Sequence, residues 1–329
     1  MKNSIKIIAL LCATILLITA FASCSAVTLD KELEINVSVL NGTTGFGAAK
    51  LISDANAGNT LLNYKFTVET DASNVTAGLI NGTIDIAALP TNAAATVYNK
   101  TEGKVKIAAI NTLGVLYLMT NGVEITSMAD LKGKTVYCPA QNPSFIFEAI
   151  CRANGLTIGE DVIIDTAFAQ PADLRTALVA GQVDIAVLPE PMVTIAKSAN
   201  DALKVSLDLT EEWEKVLGED SLAQGCIVVR TEWAEAHPKE LEEFLDEYED
   251  SVEFTTENPT ASAELIVSTG VFAGKAPVAA KAIPNCNIVY IDGDDMAEAL
   301  DVFFAKLYEV NPAAVGGKLP DRGIYYFEK

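Results

Sequence analysis

Histidine is almost absent from this sequence of 329 residues, whose single imidazole belongs to His237, directly before Pro238. A Ser-His-Asp triad needs an imidazole beside its nucleophile, and a histidine-rich metal centre needs several. His237 also lies outside every polar loop that we single out below. We therefore expect no metal site, no cofactor and no catalytic residue in this protein.

Basic residues are also scarce, with 23 lysines and arginines against 44 aspartates and glutamates, a formal net charge of -21. Because the first 23 residues contain Lys2 and Lys6 and no acid, removing them leaves 21 basic and 44 acidic residues, a charge of -23. A surface this negative repels phosphate backbones. Nucleic acid is therefore excluded as a partner, while a hydrophobic content of 50% is enough for a sizeable core.

Cysteines are few, and none of the six has the Cys-x-x-Cys spacing of a zinc or redox motif. Cys12 lies in the leader described below and Cys24 follows it, which leaves Cys138, Cys151, Cys226 and Cys286. An exported location permits disulfides, and four cysteines allow three pairings. We favour buried free thiols, because Cys138 and Cys226 lie in apolar runs typical of strands.

Only one stretch of the sequence is both long and apolar, and it lies at the start. Lys2 and Lys6 are followed by the apolar run of residues 7–20 and then by small residues. A basic start, an apolar centre and a small-residue end are typical of a secretory signal peptide. We predict that residues 1–23 are a signal peptide, and that no later segment is apolar for long enough to cross a membrane.

Two processing routes compete at the end of this signal. Residues 20–22 fit an ordinary Ala-x-Ala cleavage site, whereas residues 21–24 resemble the lipobox of bacterial lipoproteins. We favour the lipobox, although Phe21 stands where leucine is usual. Cys24 would then be lipidated, and its acyl chains would anchor the protein, through a linker at residues 24–32, to the outer face of the cell membrane, an extracytoplasmic location.

The most informative feature is an internal repeat, in which residues 72–90 run parallel to residues 171–189 at an offset of 99. The apolar residues of each copy recur with helical spacing, which predicts one buried face. They are Val75, Leu79 and Ile80 in the first copy, and Leu174, Leu178 and Val179 in the second. A glycine then ends each helix, and a short apolar run closed by a proline follows. We predict a buried parallel strand there, at residues 84–89 and 183–188.

Apolar runs also lie before and after each copy of the repeat, and they predict further strands there. Each half of the chain is then predicted to have the element order β-α-β-α-β-α-β. Strands that alternate with helices are typical of α/β proteins, in which ligands bind at the carboxyl ends of the parallel strands. We predict two lobes, each a mainly parallel sheet flanked by helices, with a cleft between them. Residues 33–115 begin lobe 1, residues 116–225 form lobe 2, and the mostly helical residues 226–329 complete lobe 1.

Polar loops that follow the predicted strands are candidates for binding a solute in this cleft. Helix N-termini there present unpaired N–H groups, and hydroxyl or amide side chains add donors and acceptors. Helix capping, or core packing for the aromatic residues, is the alternative role in each case. The predicted ligand contacts are Asn41, Thr43, Thr44, Phe46, Thr91, Asn92, Asn111, Thr112, Gln141, Asn142, Ser144, Phe145 and Glu190.

Two kinds of anion site are disfavoured in these loops. The glycines of residues 42–47 have neither the Gly-Lys-Ser/Thr of a P-loop nor the order of a dinucleotide-binding fingerprint. Arg152, Arg175 and Arg230 lie outside the loops, so a bidentate clamp on phosphate or sulfate is also disfavoured.

Several motifs resemble those of a known family, the extracytoplasmic solute-binding proteins of ABC importers. They are residues 127–136, the Gly-x-x-Asp-Ile-Ala-x-Leu-Pro elements at Gly82 and Gly181, residues 224–230, residues 237–259, and residues 311–312 with 316–320. The resemblance covers nearly the whole chain after the signal and is to the branch named for nitrate, sulfonate and taurine uptake and for thiamine-pyrimidine precursors (NMT1/THI5-like). It implies a two-lobed periplasmic-binding-protein type II fold with two hinge crossings, which closes around a small solute.

The resemblance implies transport and not catalysis. The protein would be the monomeric substrate-binding component of an ABC importer, which delivers its solute to a membrane permease. Neutral amide and hydroxyl side chains with nearby aromatic rings suit a heteroaromatic solute such as a pyrimidine, which we favour, or an organic sulfonate-like anion. Two alternatives stay open: a biosynthetic enzyme of the pyrimidine-forming type on the same fold, and an extracytoplasmic sensor domain.

Overall fold

The computed structural model describes residues 29–327, and the predicted signal peptide and Cys24 lie outside the described residues. The described chain begins with four strands that alternate with helices. In order, these elements are β1 (Glu34–Leu40), α1 (Thr43–Phe46), α2 (Ala49–Ala57), β2 (Asn63–Glu69), α3 (Ala72–Asn81), β3 (Ile86–Pro90), α4 (Thr91–Thr101) and β4 (Val105–Thr112).

A second set of elements repeats this order after one additional strand. It contains β5 (Leu116–Thr120), β6 (Lys134–Tyr137), α5 (Asn142–Ala153), β7 (Val162–Asp165), α6 (Pro171–Val179), β8 (Ile185–Pro189), α7 (Met192–Ala199), β9 (Lys204–Asp208) and α8 (Leu209–Leu217).

The remainder of the described chain is mostly helical. It contains β10 (Gly225–Arg230), α9 (Thr231–Ala236), α10 (Pro238–Glu257), α11 (Pro259–Ser268), α12 (Ala276–Ala282), β11 (Ile288–Ile291) and α13 (Gly293–Val310). No helix between residues 29 and 327 has both the length and the hydrophobicity of a membrane span.

The strands form two separate sheets, which confirms the predicted α/β fold with two lobes. Lobe 1 contains a six-stranded sheet in the order β11-β4-β10-β3-β1-β2, and lobe 2 a five-stranded sheet in the order β7-β6-β8-β5-β9. β1 runs parallel to β2 and β3, and β6 runs parallel to β7 and β8. The other pairings are antiparallel: β10 pairs with β3 and β4 and β11 pairs with β4 in lobe 1, and β5 pairs with β8 and β9 in lobe 2. The repeated strands β3 and β8 therefore each have one parallel and one antiparallel neighbour.

The repeated helices pack largely as their sequences predict. Val75 and Leu79 of α3 are fully buried, and so are Leu174 and Leu178 at the matching positions of α6. The prediction that Ile80 lies on the same buried face is wrong, because its side chain is 45% exposed. Consecutive residues of a helix point about 100° apart, so the residue after Leu79 turns away from the sheet.

The C-terminal helix α13 contacts both lobes. Phe303 of α13 packs against Trp213 of α8 in lobe 2, with ring centroids 5.9 Å apart, and α13 also contacts α5 and β4. The chain after α13 returns to lobe 1, where Asn99 Nδ2 donates to the carbonyl oxygens of Val315 and Lys318 at 2.6 and 2.7 Å. The prediction that residues 226–329 complete lobe 1 thus describes only part of the contacts of α13. Apolar periodicity shows that a helix has a buried face, but it does not show which element packs against that face.

Two crossing segments join the lobes and lie side by side. Gln224, just before β10, donates its N–H to Thr112 O at 3.0 Å, and its Oε1 accepts a hydrogen bond from Val115 N at 2.8 Å. Gly114 lies within the first segment, and a Cβ atom there would lie 2.2 Å from Thr210 Oγ1. The same Cβ atom would lie 2.6 Å from Leu222 Cδ2, so a larger residue at position 114 would have to displace the side chains of Thr210 in α8 and of Leu222.

The four cysteines of the described chain are buried free thiols, as the sequence favours. Burial raises the pKa of the Cys151 and Cys226 thiols to about 12, so both stay protonated near neutral pH. These cysteines therefore behave as small apolar core residues.

Candidate functional site

The loop after β1 carries the first group of predicted contacts. Asn41 Nδ2 and Gly42 N donate to the carbonyl oxygens of residues 270–271, at 3.0 and 2.9 Å. Thr43 and Thr44 follow as the first residues of α1 and are half-buried. The two threonines are thus positioned by a segment of the C-terminal part that has no counterpart in the sequence repeat.

The amide of Asn111, at the end of β4, has protein partners for its donors and its acceptor. Its Nδ2 donates to Thr44 O at 2.9 Å and to Tyr248 Oη at 3.0 Å, and its Oδ1 accepts a hydrogen bond from Thr112 Oγ1 at 3.1 Å. Both Asn111 and Thr112 are buried. These bonds join β4 to α1 and α10, and so they hold the loop that contains Thr44 in place.

The aromatic candidates have different surroundings. Phe46 is 0% exposed and packs edge-on against Phe272, with ring centroids 6.0 Å apart, so it is a core residue. Phe145 is half-buried and faces a cavity described below. A third aromatic residue, Tyr117 of β5, is buried and donates its hydroxyl to Asn285 O at 2.9 Å.

Side chains at the starts of α4 and α5 carry buried oxygen atoms that lack a hydrogen-bond partner in the described chain. These atoms are Thr91 Oγ1, Asn92 Oδ1 and Asn142 Oδ1. The residues before these helices are Pro90 and Gln141, and neither helix has a side-chain cap, so helix capping does not explain them. Leaving a buried polar atom unpaired destabilises a protein by about 1–3 kcal/mol. Each of these atoms needs a partner that the described chain does not supply, and a bound solute or a water molecule can be that partner.

The Thr91 hydroxyl is a weaker case than the two asparagines. It lies beside the thiol of Cys226, and the hydroxyl opposes the rise in the pKa of that thiol, which burial nevertheless raises to about 12. A thiol is a weak hydrogen-bonding group. Asn92 and Asn142 therefore carry the stronger indication that a solute binds.

Gln141, between β6 and α5, has a strained backbone. Its φ is 66° and its ψ is -127°, a conformation that favours glycine and that costs other residues about 1–3 kcal/mol. The Gln141 carbonyl oxygen accepts hydrogen bonds from Ser144 Oγ at 2.8 Å and from Phe145 N at 3.1 Å. Ser144 is buried, whereas the side chain of Gln141 is exposed. The start of α5 thus holds Gln141 in a conformation typical of functional loops.

Glu190, after β8, has a carboxylate that is 3% exposed and hydrogen-bonded. Its Oε2 accepts a hydrogen bond from Thr194 N at 3.1 Å, and its Oε1 accepts one from Thr194 Oγ1 at 2.9 Å. Burial raises the pKa of this carboxyl, and the bonds from Thr194 and Asn285 and the charge of Lys197 oppose that rise only in part. Loss of hydration on burial is therefore the largest influence on the pKa of Glu190.

The structure brings Asn92, Gln141 and Phe145 together in one cavity of about 500 Å³, which we call the interlobe groove. Its walls come from α3 and α4 of lobe 1, from the start of α5 in lobe 2, and from the turn after α13. The exposed Ile80 is part of its apolar wall. Other polar side chains that line it are Ser73, Thr76, Thr96, Lys100 and Asn311.

Glu190 lines a second cavity, of about 530 Å³, on the side of α7 and α12. Tyr117, Lys197, Lys281 and Asn285 line the same cavity. The structure thus divides the predicted set, and the predicted contacts other than Glu190, Asn92, Gln141 and Phe145 line neither cavity.

Several residues that line the two cavities lie outside the loops that the sequence singled out, and sequence reasoning missed them. Ser73 and Thr76 lie one turn apart on α3, a polar spacing that could have indicated a surface facing the cleft. Asn285 and Asn311 lie in the C-terminal part, outside the sequence repeat, and the tail motif that contains Asn311 does not indicate that it lines a cavity. Only the path of the folded chain brings these residues to the cavities.

The described residues contain no group of three histidine, cysteine, aspartate or glutamate side chains placed to hold a metal ion. The His237 ring packs against Trp233, with ring centroids 5.4 Å apart. The interlobe groove itself offers amide and hydroxyl groups beside an apolar wall. This chemistry suits the reversible binding of a small polar organic molecule.

We expect Glu190→Gln to alter how stability depends on pH. Because burial raises the pKa of Glu190 in the folded state, the folded protein binds more protons than the unfolded chain. The free energy of unfolding contributed by this carboxyl is therefore highest at low pH and falls as pH rises above the ordinary glutamate pKa of about 4.3. E190Q should gain stability relative to the wild type as pH rises from about 4, as measured by urea denaturation at each pH.

Glu124→Gln is the matched control, since Glu124 is exposed. Its effect on the free energy of unfolding should change little over the same pH range. A constant difference between E190Q and the wild type across that range would contradict the raised pKa of Glu190.

Two sheets joined by two crossing segments are the architecture of two-lobed periplasmic binding proteins. The family model described as NMT1/THI5 like matches residues 62–262. This match spans more than half of the chain, which therefore belongs to the NMT1/THI5-like family. No curated protein shows significant sequence similarity to the chain.

Several crystal structures share this fold. An ABC transporter protein from Parabacteroides distasonis is 25% identical, with a TM-score of 0.74 over 90% of this chain and 99% of that chain. The aliphatic sulphonate binding protein SsuA of Escherichia coli is 16% identical, with a TM-score of 0.70 over 90% and 92% of the two chains. The alkanesulfonate-binding protein SsuA of Xanthomonas axonopodis pv. citri, bound to MOPS, is 14% identical, with a TM-score of 0.62 over 90% and 96%.

Proposed function

We propose that this protein is the extracytoplasmic substrate-binding component of an ABC importer. It captures a small organic solute between its lobes and presents the closed form to a membrane permease. Membership of the NMT1/THI5-like family supports this function, and so does the likeness to an ABC transporter protein and to sulfonate-binding proteins. In this proposal the protein binds its solute without transforming it.

The interlobe groove is the observation that carries the proposal. Asn92 lies on its lobe 1 side and Gln141 on its lobe 2 side. A solute that contacts both residues at once stabilises the arrangement in which the lobes are close together. A ligand shifts the equilibrium between an open and a closed form only if its contacts differ between the two forms. Contacts to both lobes at once meet this condition, because they form only when the lobes are close together.

The proposed closure is a rotation of the lobes about the two crossing segments. In this scheme residues 33–115 and 226–329 move as lobe 1 and residues 116–225 move as lobe 2. Gln224 ties the two segments to each other, so they bend together. Because α13 contacts α5 and α8 of lobe 2, it limits the extent of the rotation.

The predicted contacts have different roles in this proposal. Asn92, Gln141 and Phe145 contact the solute in the groove, and Thr91 and Asn142, which do not line the groove, contact parts of the solute that extend beyond it. Thr43, Thr44 and Glu190 contact parts of the solute that extend beyond the groove. The residues that position these loops are Asn41, Phe46, Asn111, Thr112 and Ser144.

The proposed solute is a heteroaromatic molecule such as a pyrimidine, or an organic sulfonate-like anion. Phe145 and the apolar side chains beside it can pack on a flat ring, and the amides can bond its polar edge. We also propose that the protein is a monomer anchored outside the cytoplasm by lipid on Cys24, where it meets its permease.

A thermal-shift screen tests this function. Sulfonates, nitrate, bicarbonate, pyrimidines and flavins are added to the protein, and a bound solute at 100 times its dissociation constant should stabilise the fold by about 2.7 kcal/mol. Asn92→Leu and Gln141→Ala should each weaken binding of the active solute at least tenfold by calorimetry.

Gln182→Ala, at an exposed position of lobe 2 outside the groove, serves as the control and should bind with unchanged affinity. The absence of any stabilising solute would count against the proposal. If chromatography shows that the protein converts a bound solute into a product, the biosynthetic enzyme is favoured instead.

A further inference from the structure

We infer that Asn285 is a latch between the lobes, which holds them close together by bonding to Tyr117 and Glu190 whether or not a solute is bound. The inference rests on the proposed closure and adds a residue that regulates it. Its support is that both bonds cross the points at which the crossing segments can turn. We call these points the pivots and locate them first.

The first crossing segment passes from one lobe to the other within two residues. The carbonyl oxygen of Gly114 accepts a hydrogen bond from Asn287 Nδ2, and Asn287 directly precedes β11 of the lobe 1 sheet. The next carbonyl oxygen, that of Val115, accepts one from Glu190 N at 3.0 Å, and Glu190 directly follows β8 of lobe 2. A rotation of the lobes that keeps both bonds must therefore turn the backbone between these two carbonyl groups.

The second crossing segment has its pivot beside the first. Ser221 belongs to lobe 2, because its Oγ accepts a hydrogen bond from Trp213 Nε1 of α8 at 2.8 Å. Gln224 belongs to lobe 1, because its N–H donates to the last carbonyl oxygen of β4 at 3.0 Å. The change of lobe thus falls at residues 222–223. Since the side chain of Leu222 packs against the first pivot, one axis can pass through both.

Asn285 lies on the lobe 1 side of the pivots, three residues before β11, and bonds to lobe 2. Tyr117, the second residue of β5, lies on the lobe 2 side, and its hydroxyl donates to Asn285 O at 2.9 Å. The side chain of Asn285 bonds to the carboxylate of Glu190. Burial raises the pKa of that carboxyl, and this bond is among the contacts that oppose the rise. Both bonds therefore join one lobe to the other across the pivots.

Rotation of the lobes breaks the latch. Turning the backbone at the pivots moves Tyr117 and Glu190 relative to Asn285, and a hydrogen bond is lost once its two atoms are more than about 3.5 Å apart. Because the latch joins residues of the chain itself, it favours the close arrangement of the lobes without any solute. A single net hydrogen bond shifts such an equilibrium about fivefold, so two bonds shift it about 25-fold.

Small-angle X-ray scattering of the protein without solute tests the latch. The double variant Tyr117→Phe with Asn285→Ala lacks both bonds. We expect its radius of gyration, about 19 Å for a compact chain of this size, to exceed that of the wild type by about 1 Å. Tyr64→Phe is the matched control, because Tyr64 is 8% exposed, as Tyr117 is, and donates its hydroxyl to Glu247 within lobe 1. It should leave the radius unchanged.

Circular dichroism checks that each variant folds. If the double variant does not, Tyr117→Phe alone decides, since it keeps the buried ring and should give a smaller increase in radius than the double variant would. An unchanged radius in a folded double variant would overturn the inference.

An active solute from the thermal-shift screen adds a second measurement. At saturation it should return the radius of the double variant to that of the wild type and leave the wild-type radius almost unchanged. A wild-type protein that contracts by about 1 Å with solute would also overturn the inference, because its latch would have been open beforehand. If the screen finds no solute, the proposed function fails, whereas a larger radius in the double variant still supports the latch.

Discussion

Replacement of Phe303 by alanine is expected to lower the free energy of unfolding by about 4 kcal/mol, the largest effect that we predict. Phe303 is fully buried in α13 and packs against Trp213 of α8 and against Phe304. The substitution removes most of the side chain and leaves a cavity that the surrounding helices can fill only in part. Urea denaturation followed by circular dichroism measures the loss.

Leu319→Ala provides the comparison, because Leu319 is an apolar residue that is 47% exposed. Its substitution should change the free energy of unfolding by less than about 1 kcal/mol. A loss of similar size in the two variants would mean that α13 does not pack against lobe 2 as described. The result matters for function as well, because this packing is what we propose to limit the rotation of the lobes.

Arg230→Met is expected to lower the free energy of unfolding by about 3 kcal/mol. Arg230 Nη2 lies 3.0 Å from Asp85 Oδ1, and the side chain of Asp85 is only 8% exposed. The other oxygen of Asp85 accepts hydrogen bonds from Asn36 N at 3.0 Å and from Asn36 Nδ2 at 3.3 Å. Removing Arg230 leaves a buried carboxylate without its counter-charge, which costs far more than an exposed pair does. Chemical denaturation at pH 7 measures the change.

Two further variants show whether this loss comes from the unpaired charge. Lys65→Met breaks an ion pair with Glu34 whose side chains are 62% and 56% exposed, and it should cost less than about 1 kcal/mol. Adding Asp85→Asn to Arg230→Met should restore part of the lost stability, because a neutral amide needs no counter-charge. A double variant that is less stable than R230M would contradict this account.

Most of the architecture could be predicted from the sequence because of its duplication. The matching Gly, Asp and Pro positions of residues 72–90 and 171–189 indicate the same helix-to-strand unit twice, and the structure contains α3 with β3 and α6 with β8 there. Local rules of helix spacing and glycine termination are enough for such units. The antiparallel strands β10 and β5 were not predictable in this way, since strand pairing depends on residues far apart in the chain.

The candidate site was predictable in its loops but not in its division into two cavities. Polar residues after parallel strands indicate one edge of a sheet, and this rule led to Asn92, Gln141 and Glu190. The rule does not tell which loops of the two lobes face each other. The structure places Asn92 with Gln141 in one cavity, and Glu190 with Asn285 in another.

The sequence by itself determined the acidic charge, which is a matter of composition. It also determined the strand and helix units and the polar loops at the strand ends, because these depend on near neighbours along the chain. Only the tertiary structure decided which amide oxygens stay unpaired, that Ile80 lines a groove, and that α13 bridges the lobes. The physical reason is that burial and hydrogen-bond pairing depend on what packs nearby in space, and in this chain those neighbours are often more than a hundred residues away.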